Sequence, residues 1–130
     1  MGKVRNLPEW FKMQRASGEN YSRLKRLIEQ NRLHTICTSG NCPNKGECWN
    51  AGTSTFMILG DICTRACRFC NTRTGKPLPP DPEEPVRLAE TIRLLGLKHC
   101  VITSVDRDDL PDGGAEFWSD VISKVREINP

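Results

Sequence analysis

The sequence predicts an α/β fold in which parallel strands alternate with helices. Two runs of apolar and β-branched residues carry this prediction, TSTFMILG at 53–60 and HCVITSV at 99–105, and helical spacing of apolar residues follows each run. Buried strands that are each followed by a helix form right-handed βαβ units and a parallel sheet. Because two strands cannot complete such a sheet, we expect residues 53–130 to be the first part of a longer (β/α) barrel, or to be completed by a partner.

Two helices are predicted in this second part of the chain. The proline-rich stretch 75–85 is interpreted as a connector, with Pro85 placed at the start of the first helix. Gly96 is expected to end that helix, and the second helix is predicted over 115–128. Its expected inner face consists of Phe117, Trp118, Val121, Ile122, Val125 and Ile128.

Residues 1–52 are predicted to form a separate N-terminal extension. The first 18 residues are expected to be an extended arm, with Trp10 and Phe11 as apolar anchors. A short amphipathic helix should follow, capped by Asn20 and running from Tyr21 to about residue 31.

The remainder of the extension, residues 33–52, combines cysteine with glycine, proline and asparagine. These residue types form turns rather than long regular elements. We therefore expect a loop that wraps a cofactor, since an unliganded loop of this length would be hard to stabilise.

Composition and charge exclude several classes of function. The formal net charge is +3, and the 19 Lys and Arg residues are mixed with 16 Asp and Glu, which is not the pattern of a nucleic-acid binder. No apolar run is long enough to cross a bilayer, and the N-terminus lacks the apolar stretch of a secretory signal. We expect an intracellular protein that binds neither nucleic acid nor membranes, in the bacterial cytoplasm or alternatively in an organelle.

Seven cysteines in an intracellular chain favour metal or cluster binding over disulfides, because cytosolic thiols are kept reduced. Six of them form two groups with short spacings. The first triplet is Cys37, Cys42 and Cys48, and the second triplet is Cys63, Cys67 and Cys70.

Three thiolates on one short loop can hold three irons of a 4Fe–4S cluster and leave the fourth iron open to a small molecule. A structural zinc site would need a fourth protein ligand, and His34 and His99 are both distant in sequence from the second triplet. Either histidine is more often structural, and Cys100 is interpreted as a small buried apolar residue.

The second triplet resembles the signature of the radical S-adenosylmethionine (SAM) superfamily. An aromatic residue, Phe69, precedes its last cysteine, and the triplet follows the first predicted strand. The resemblance implies a partial, TIM-like radical SAM barrel with its active face at the carboxyl ends of the strands. It also implies that the second triplet ligates a 4Fe–4S cluster, whose open iron binds SAM and whose electron yields a 5′-deoxyadenosyl radical.

Further cofactor contacts are implied by the same resemblance. Phe69 would pack near the adenine of SAM, or equally be a core aromatic residue. Thr103, Ser104 and Asp106 lie in or just before the loop that usually holds the methionine amine. Residues 107–109 could equally be a surface ion-pair cluster, and this interpretation is favoured for Asp109.

The first triplet and its flanks resemble the lipoyl synthases, in the sequence LHTICTSGNCPNKGECWN at 33–50. The similarity continues through GDICTRACRFCNTRTGKP and VITSVDRDDLPDGGAEFW, and covers the chain from about Trp10 onward. Residues 38–41 depart from the usual, more charged spacer without loss of a ligand.

This second resemblance implies an auxiliary 4Fe–4S cluster on Cys37, Cys42 and Cys48, consumed as the sulfur source. Sulfur would enter at C6 and C8 of an octanoyl chain linked to a lysine of a carrier protein, with two SAM molecules used and electrons supplied by a flavodoxin or ferredoxin. The family's further serine ligand and remaining strands do not occur in this sequence. We therefore expect an N-terminal portion that is inactive alone.

Two alternatives stay open at this point. One is a different radical SAM enzyme with an auxiliary cluster, which acts on a peptide or small molecule. The other is a non-catalytic, zinc-binding interaction module.

Overall fold

A three-stranded sheet forms the centre of the computed structural model, which describes residues 8–11 and 18–130. The strands of this sheet are β1 (His34–Thr35), β2 (Thr53–Ile58) and β5 (His99–Ser104), in the order β1-β2-β5. A separate two-stranded pair consists of β3 (Ile62–Cys63) and β4 (Arg73–Thr74). The helices are a 3-10 turn at Glu9–Phe11, α1 (Glu19–Gln30), α2 (Ile36–Ser39), α3 (Lys45–Asn50), α4 (Glu84–Leu95) and α5 (Ala115–Ile128).

The predicted βαβ unit is confirmed. Strands β2 and β5 pair in parallel over six residues, from Thr53 opposite His99 to Ile58 opposite Ser104, and α4 connects them. Helix α4 ends as predicted at Gly96, which has a left-handed backbone with φ 59°. Such a conformation is readily adopted by glycine and commonly ends a helix. The mixed α/β class is therefore correct.

The sheet also contains a strand that the sequence did not predict. Strand β1 pairs antiparallel with β2, with His34 opposite Met57 and Thr35 opposite Phe56. A two-residue strand is too short to produce a visible alternation of apolar and polar residues. Its partner strand β2 buries Ser54, Phe56, Met57 and Ile58, so the prediction of a buried first strand is confirmed.

The prediction of a loop over residues 33–52 is wrong in part, because two short helices occupy this segment. Helix α2 begins after Thr35, whose hydroxyl accepts a hydrogen bond from the Thr38 N–H at 3.2 Å. Helix α3 buries Trp49, which is 1% exposed and lies 5.3 Å from the Tyr21 ring, centroid to centroid. Packing of this one large side chain outweighs the low helix propensity of the glycine and asparagine around it.

The predicted cap of α1 is also corrected. The helix begins at Glu19 with Gly18 as its N-cap, so Asn20 lies inside the first turn. The Asn20 side chain instead donates to the carbonyl of Asn50 at 3.1 Å and ties α1 to the end of α3. This contact joins residues distant in sequence, which local cap preferences cannot predict.

Three burial predictions fail. Strand β5 is half-exposed rather than buried, with Val101 at 41%, because it lies at the edge of the sheet. On α5, Val121 is fully buried as predicted but Ile122 is 41% exposed. Trp10 is 82% exposed and is not a buried anchor, whereas the Phe11 side chain and residues 1–7 and 12–17 of the arm lie outside the described residues.

The glycine pair before α5 provides a test of how closely Leu59 packs against the start of that helix. Both residues have positive φ, 66° at Gly113 and 96° at Gly114. A Cβ atom at Gly113 would meet nothing within 4 Å, but one at Gly114 would lie 2.7 Å from Cδ1 of the buried Leu59. We expect Gly113→Ala to cost about 1 kcal/mol of unfolding free energy, from backbone strain alone. We expect Gly114→Ala to cost about 3 kcal/mol, because overpacking adds to the strain.

Urea denaturation of the two alanine variants would measure this difference. The two substitutions are adjacent and chemically identical, so each is the control for the other. Equal losses of stability in both variants would contradict the close approach of Leu59 to Gly114.

Candidate functional site

The second triplet lies on a loop that starts at the carboxyl end of β2. After Ile58 the backbone turns through Leu59 and Gly60, with φ 67° and 96°, and enters β3. Strand β3 pairs in parallel with β4, so that Cys63 lies opposite Thr74. The Gly75 N–H donates to the Cys63 carbonyl at 3.1 Å and closes the loop.

The side chains of this cysteine loop, residues 63–74, are largely open to solvent. Cys67 and Cys70 are exposed and Cys63 is half-buried. Phe69 is 94% exposed, so its alternative interpretation as a core aromatic residue is wrong. Hydrogen bonds with Thr72 lower the pKa of the Cys70 thiol. The bond with the Thr72 side chain has the larger effect, and the bond with the Thr72 backbone has the smaller one. This favours the thiolate, which is the form that ligates metals.

The loop that follows β5, residues 105–114, contacts the cysteine loop directly. The Asp106 N–H donates to the Cys63 sulfur at 3.3 Å. The Thr64 hydroxyl donates to the Asp106 carbonyl at 2.9 Å and accepts from the Asp108 N–H at 3.1 Å. The structure therefore places the backbone of Asp106 beside the first cysteine of the triplet, whereas the predicted contact of this loop with SAM stays a prediction.

An exposed ion pair adds to this contact between the loops. The Arg65 guanidinium donates to both carboxylate oxygens of Asp108, at 2.9 and 3.2 Å, and lies 3.3 Å from a carboxylate oxygen of Asp106. The pKa of Asp108 is lowered, chiefly by its hydrogen bond with Arg65. Asp108 is thus part of a surface ion pair, whose energetic contribution is small because solvent screens it.

Arg107 is not part of that surface cluster, which corrects the alternative interpretation of residues 107–109. It is 3% exposed, and its guanidinium donates to both carboxylate oxygens of Asp109 at 2.9 Å. The same side chain donates to the carbonyls of Leu59 and Leu78, each at 3.0 Å. A buried arginine with four acceptors holds three segments of backbone together.

Glu84 is a second buried charged residue, at the start of α4. It is 7% exposed, and its Oε1 accepts a hydrogen bond from the Leu59 N–H at 3.2 Å. Burial raises the pKa of this carboxyl to about 7, against the opposing effects of that hydrogen bond and of Arg87. Neither the burial of Glu84 nor that of Arg107 had a signal in the sequence, since both residues are in polar surroundings along the chain.

The two candidate residues at the end of β5 differ in their contacts. The Ser104 hydroxyl accepts a hydrogen bond from the Trp118 indole at 3.1 Å, which turns it toward α5. Thr103 is half-buried opposite Met57 of β2. Both lie at the same end of the sheet as the cysteine loop, because β2 and β5 are parallel.

The first triplet is assembled by the two short helices of the N-terminal segment. Cys37 lies in α2, Cys48 lies in α3, and the Cys42 N–H donates to the Cys37 carbonyl at 3.0 Å. Burial raises the pKa of the Cys48 thiol, and so do the neighbouring Cys37 and Cys42 and then Glu47. A neutral Cys48 thiol is thereby favoured over its thiolate in the absence of a bound cation.

Cys100 stands apart from both triplets. It is half-buried in β5, and burial raises the pKa of its thiol to about 11. A thiol held in its neutral form is a poor metal ligand, which agrees with a packing role.

Neither triplet is closed around a common point. In residues 8–11 and 18–130, no group of three or more His, Cys, Asp or Glu side chains has the arrangement of a metal site. The donor sets nevertheless suit iron–sulfur clusters, since each offers three thiols within a short segment and Cys63 receives a backbone N–H on its sulfur. The ligand sets therefore remain predictions.

Comparisons with known proteins relate this chain to one superfamily and to a set of similar enzymes. Residues 57–128 match the family described as the Radical SAM superfamily. The lipoyl synthase of Parabacteroides distasonis is 61% identical over 123 residues, which is 95% of this chain and 44% of that protein. The lipoyl synthases of Bacteroides fragilis and Porphyromonas gingivalis are 59% and 58% identical, and the chain covers 43% of each. The chain thus spans less than half the length of these curated relatives. In the described part of the chain, no helix has the length and apolar character to span a membrane.

The hydroxyl of Thr64 can be tested as the link between the two loops. Thr64→Val keeps the shape of the side chain but removes its hydrogen bonds to Asp106 and Asp108, each of which contributes about 1 kcal/mol. We expect the variant protein to lose reconstituted iron faster on dilution into chelator, because Cys63 is held less firmly. Thr55→Val, a substitution of the same kind in β2, is the control and should lose iron at the wild-type rate. Equal rates in all three proteins would contradict the proposed link.

The raised pKa of Glu84 predicts a specific dependence of stability on pH. A carboxyl with a pKa near 7 in the folded protein and near 4.5 when unfolded holds its proton more tightly in the fold. Its contribution is therefore most favourable below pH 4.5 and is lost as the pH rises through 7. We expect Glu84→Gln to match the wild-type stability at pH 5 and to exceed it by about 3 kcal/mol at pH 8.

Urea denaturation of the apoprotein at the two pH values measures this difference. Glu90→Gln changes the same group on the exposed side of α4 and is the matched control. A wild-type protein that equals Glu84→Gln at both pH values would show that the carboxyl of Glu84 is not desolvated.

Proposed function

The chain belongs to the radical SAM superfamily, and on this premise we propose that the protein is a lipoyl synthase. Its reaction is the insertion of two sulfur atoms, at C6 and C8, into an octanoyl group that is bound to a carrier protein. The observation that carries this proposal is the presence of both cysteine triplets with their flanking sequences in a chain 58–61% identical to lipoyl synthases over nearly its whole length. The second triplet alone would support only the superfamily.

The second triplet is proposed to hold a 4Fe–4S cluster with one iron open to SAM. When bound, this cluster and SAM supply a carbon-centred radical, and a second cluster supplies sulfur, for chemistry at unactivated C–H bonds that side chains cannot perform. The lowered pKa of the Cys70 thiol and the N–H donated to the Cys63 sulfur both favour thiolate ligands here. The open exposure of Cys67 leaves the loop free to close around a cluster.

Four residues around this loop are proposed to bind SAM. Phe69 presents an uncovered ring, suitable for packing against a base. Asp106 lies next to the Cys63 sulfur and offers a carboxylate to an amine. Thr103 and Ser104 add hydroxyl groups at the end of β5, and the Ser104 oxygen keeps its own proton available because it accepts from Trp118.

The first triplet is proposed to hold the auxiliary cluster. Its members lie on α2, on α3 and on the turn between them. These residues belong to the segment 1–52, which we propose to be an N-terminal extension of a barrel portion 53–130. The pKa of the Cys48 thiol is raised first by burial and then by Cys37 and Cys42, and a shared cation would oppose both effects.

The partners follow from the proposed reaction. The substrate is an octanoylated lipoyl carrier domain or protein, and the electron donor is a flavodoxin or ferredoxin. The bacterial relatives agree with a location in the bacterial cytoplasm.

Substitution of each triplet separately tests the two proposed clusters in the complete protein. We expect about eight irons per protein with both clusters present and about four when either triplet is replaced by serine. The second-triplet variant should no longer cleave SAM, because it has lost the radical-generating cluster. The first-triplet variant should cleave SAM but form no lipoyl group on an octanoylated carrier.

Mass spectrometry of the carrier and anaerobic iron analysis give the readouts. Cys100→Ala is the control and should keep full iron and activity, since its thiol is held neutral by burial. SAM cleavage without any lipoyl product in the wild-type protein would favour another radical SAM enzyme. Bound zinc without cluster absorption would favour an interaction module.

A further inference from the structure

Leu59 has a backbone conformation that its side chain disfavours. It is the first residue after β2, and its φ of 67° lies in the left-handed region. A non-glycine residue in this region is strained, and such strain persists only where the surroundings hold it. Leu59 is also 2% exposed, so its side chain is fixed in the core.

Both polar groups of the Leu59 backbone are held by buried charged side chains. The N–H donates to Oε1 of Glu84 at 3.2 Å, and the carbonyl accepts from the Arg107 guanidinium at 3.0 Å. These two residues come from different segments, the start of α4 and the loop after β5. Their exposures are 7% and 3%, so water does not compete for either bond.

The hydrogen bonds of Glu84 and Arg107 to the Leu59 backbone are called the clamp below. The residues of the clamp also contact other segments around the site. Arg107 also donates to the Leu78 carbonyl of the proline-rich connector at 3.0 Å. Its neighbour Asp106 donates its N–H to the Cys63 sulfur, four residues beyond Leu59. The Leu59 side chain lies so close to Gly114 that a Cβ atom there would not fit. The strained turn therefore determines how the cysteine loop leaves the sheet and how it meets the loop after β5.

We propose that Glu84 and Arg107 are positioning residues that lock the left-handed turn at Leu59 and thereby set the orientation of the cysteine loop toward residues 105–109. Their hydrogen bonds go to the backbone of Leu59 and Leu78 and to Asp109, and not to the cysteines. Their effect on SAM binding is indirect and passes through the backbone of Leu59. This inference relies on the proposed function only for the identity of the cofactor.

Buried charges could in principle serve global stability alone, and the arrangement argues against that simple role. Replacing buried polar groups by apolar ones is often neutral or stabilising for a fold. Here the two side chains form hydrogen bonds with a strained backbone, at the junction between the sheet and the cysteine loop. Strain of this kind is found mainly at functional sites.

Three substitutions in the complete protein separate positioning from stability. Arg107→Lys keeps the charge but cannot donate to two carbonyls and a carboxylate in a planar fork. Glu84→Leu keeps the size but removes the acceptor, whereas Glu84→Gln keeps both. Arg93→Lys is the control, since this arginine forms an exposed ion pair on the same helix as Glu84.

Limited trypsin digestion of the apoprotein is the first readout, because three arginines lie in the cysteine loop, at 65, 68 and 73. We expect Arg107→Lys and Glu84→Leu to raise cleavage at these sites at least fivefold relative to cleavage in α5. Glu84→Gln and Arg93→Lys should give the wild-type ratio. A uniform rise at all sites would indicate global destabilisation and overturn the proposal.

The second readout is SAM binding by the reconstituted protein, measured without any octanoyl substrate. We expect Arg107→Lys and Glu84→Leu to raise the Kd for SAM at least tenfold and to diminish the change that SAM causes in the electron paramagnetic resonance spectrum of the reduced cluster. An unchanged Kd and spectrum in both variants would overturn the proposal. If Arg107→Lys does not fold, the comparison of Glu84→Leu with Glu84→Gln tests the proposal by itself. Equal SAM binding and equal trypsin cleavage in these two variants would overturn the proposal.

The two proposals fail in different ways in these experiments. A wild-type protein that cleaves SAM without making lipoyl product would refute lipoyl synthesis and leave the clamp intact. Wild-type lipoyl synthesis with insensitive Glu84 and Arg107 variants would refute the clamp and leave the function intact.

Discussion

Parallel pairing of β2 with β5 is the constraint on which the rest of the structure depends. It brings the carboxyl ends of both strands to one edge of the sheet, so that the loops after Ile58 and Ser104 must meet. Every contact between the cysteine loop and the second loop follows from this, including the N–H of Asp106 on the Cys63 sulfur. A mainly parallel sheet forms its ligand sites at this edge as a general rule. The clamp on Leu59 then removes the freedom that a loop at a strand end would otherwise have.

The elements with strong apolar periodicity could be predicted from the sequence. Strand β2, helices α4 and α5 and the stop at Gly96 agree with the structure, because each is decided by local pattern. Helices α2 and α3 could not be predicted in the same way. They are short, they are rich in weak helix formers, and they depend on the packing of Trp49 against Tyr21, a contact between distant residues. Strand β5 was predicted as buried because its composition does not reveal that it lies at an edge.

In the candidate site, too, some residues have a recognisable sequence pattern and others do not. Cysteine spacing and flanking sequence singled out both triplets, and their role as cluster ligands stays a prediction. The supporting residues carried no such pattern. A surface ion-pair cluster was one of two open interpretations for Arg107, which stands among acidic residues in a loop, yet four acceptors make its burial favourable. Glu84 resembled an ordinary acidic residue in a first helical turn, and only the fold reveals that the Leu59 N–H needs it.

The contact between the two loops has a consequence for the order in which the protein matures. Asp106 and Cys63 meet only after β5 has joined β2, a pairing between segments far apart in the chain, and such pairings form late in folding. Until then the thiols of Cys67 and Cys70 lie on an unattached loop, where oxygen can convert them to sulfenic acids or mixed disulfides. Before β5 pairs with β2, the three thiols of the second triplet lie on a loop without this anchor. After the pairing, the Asp106 N–H holds the Cys63 sulfur. The second triplet therefore acquires its anchored form only after β5 has been synthesised and has paired with β2.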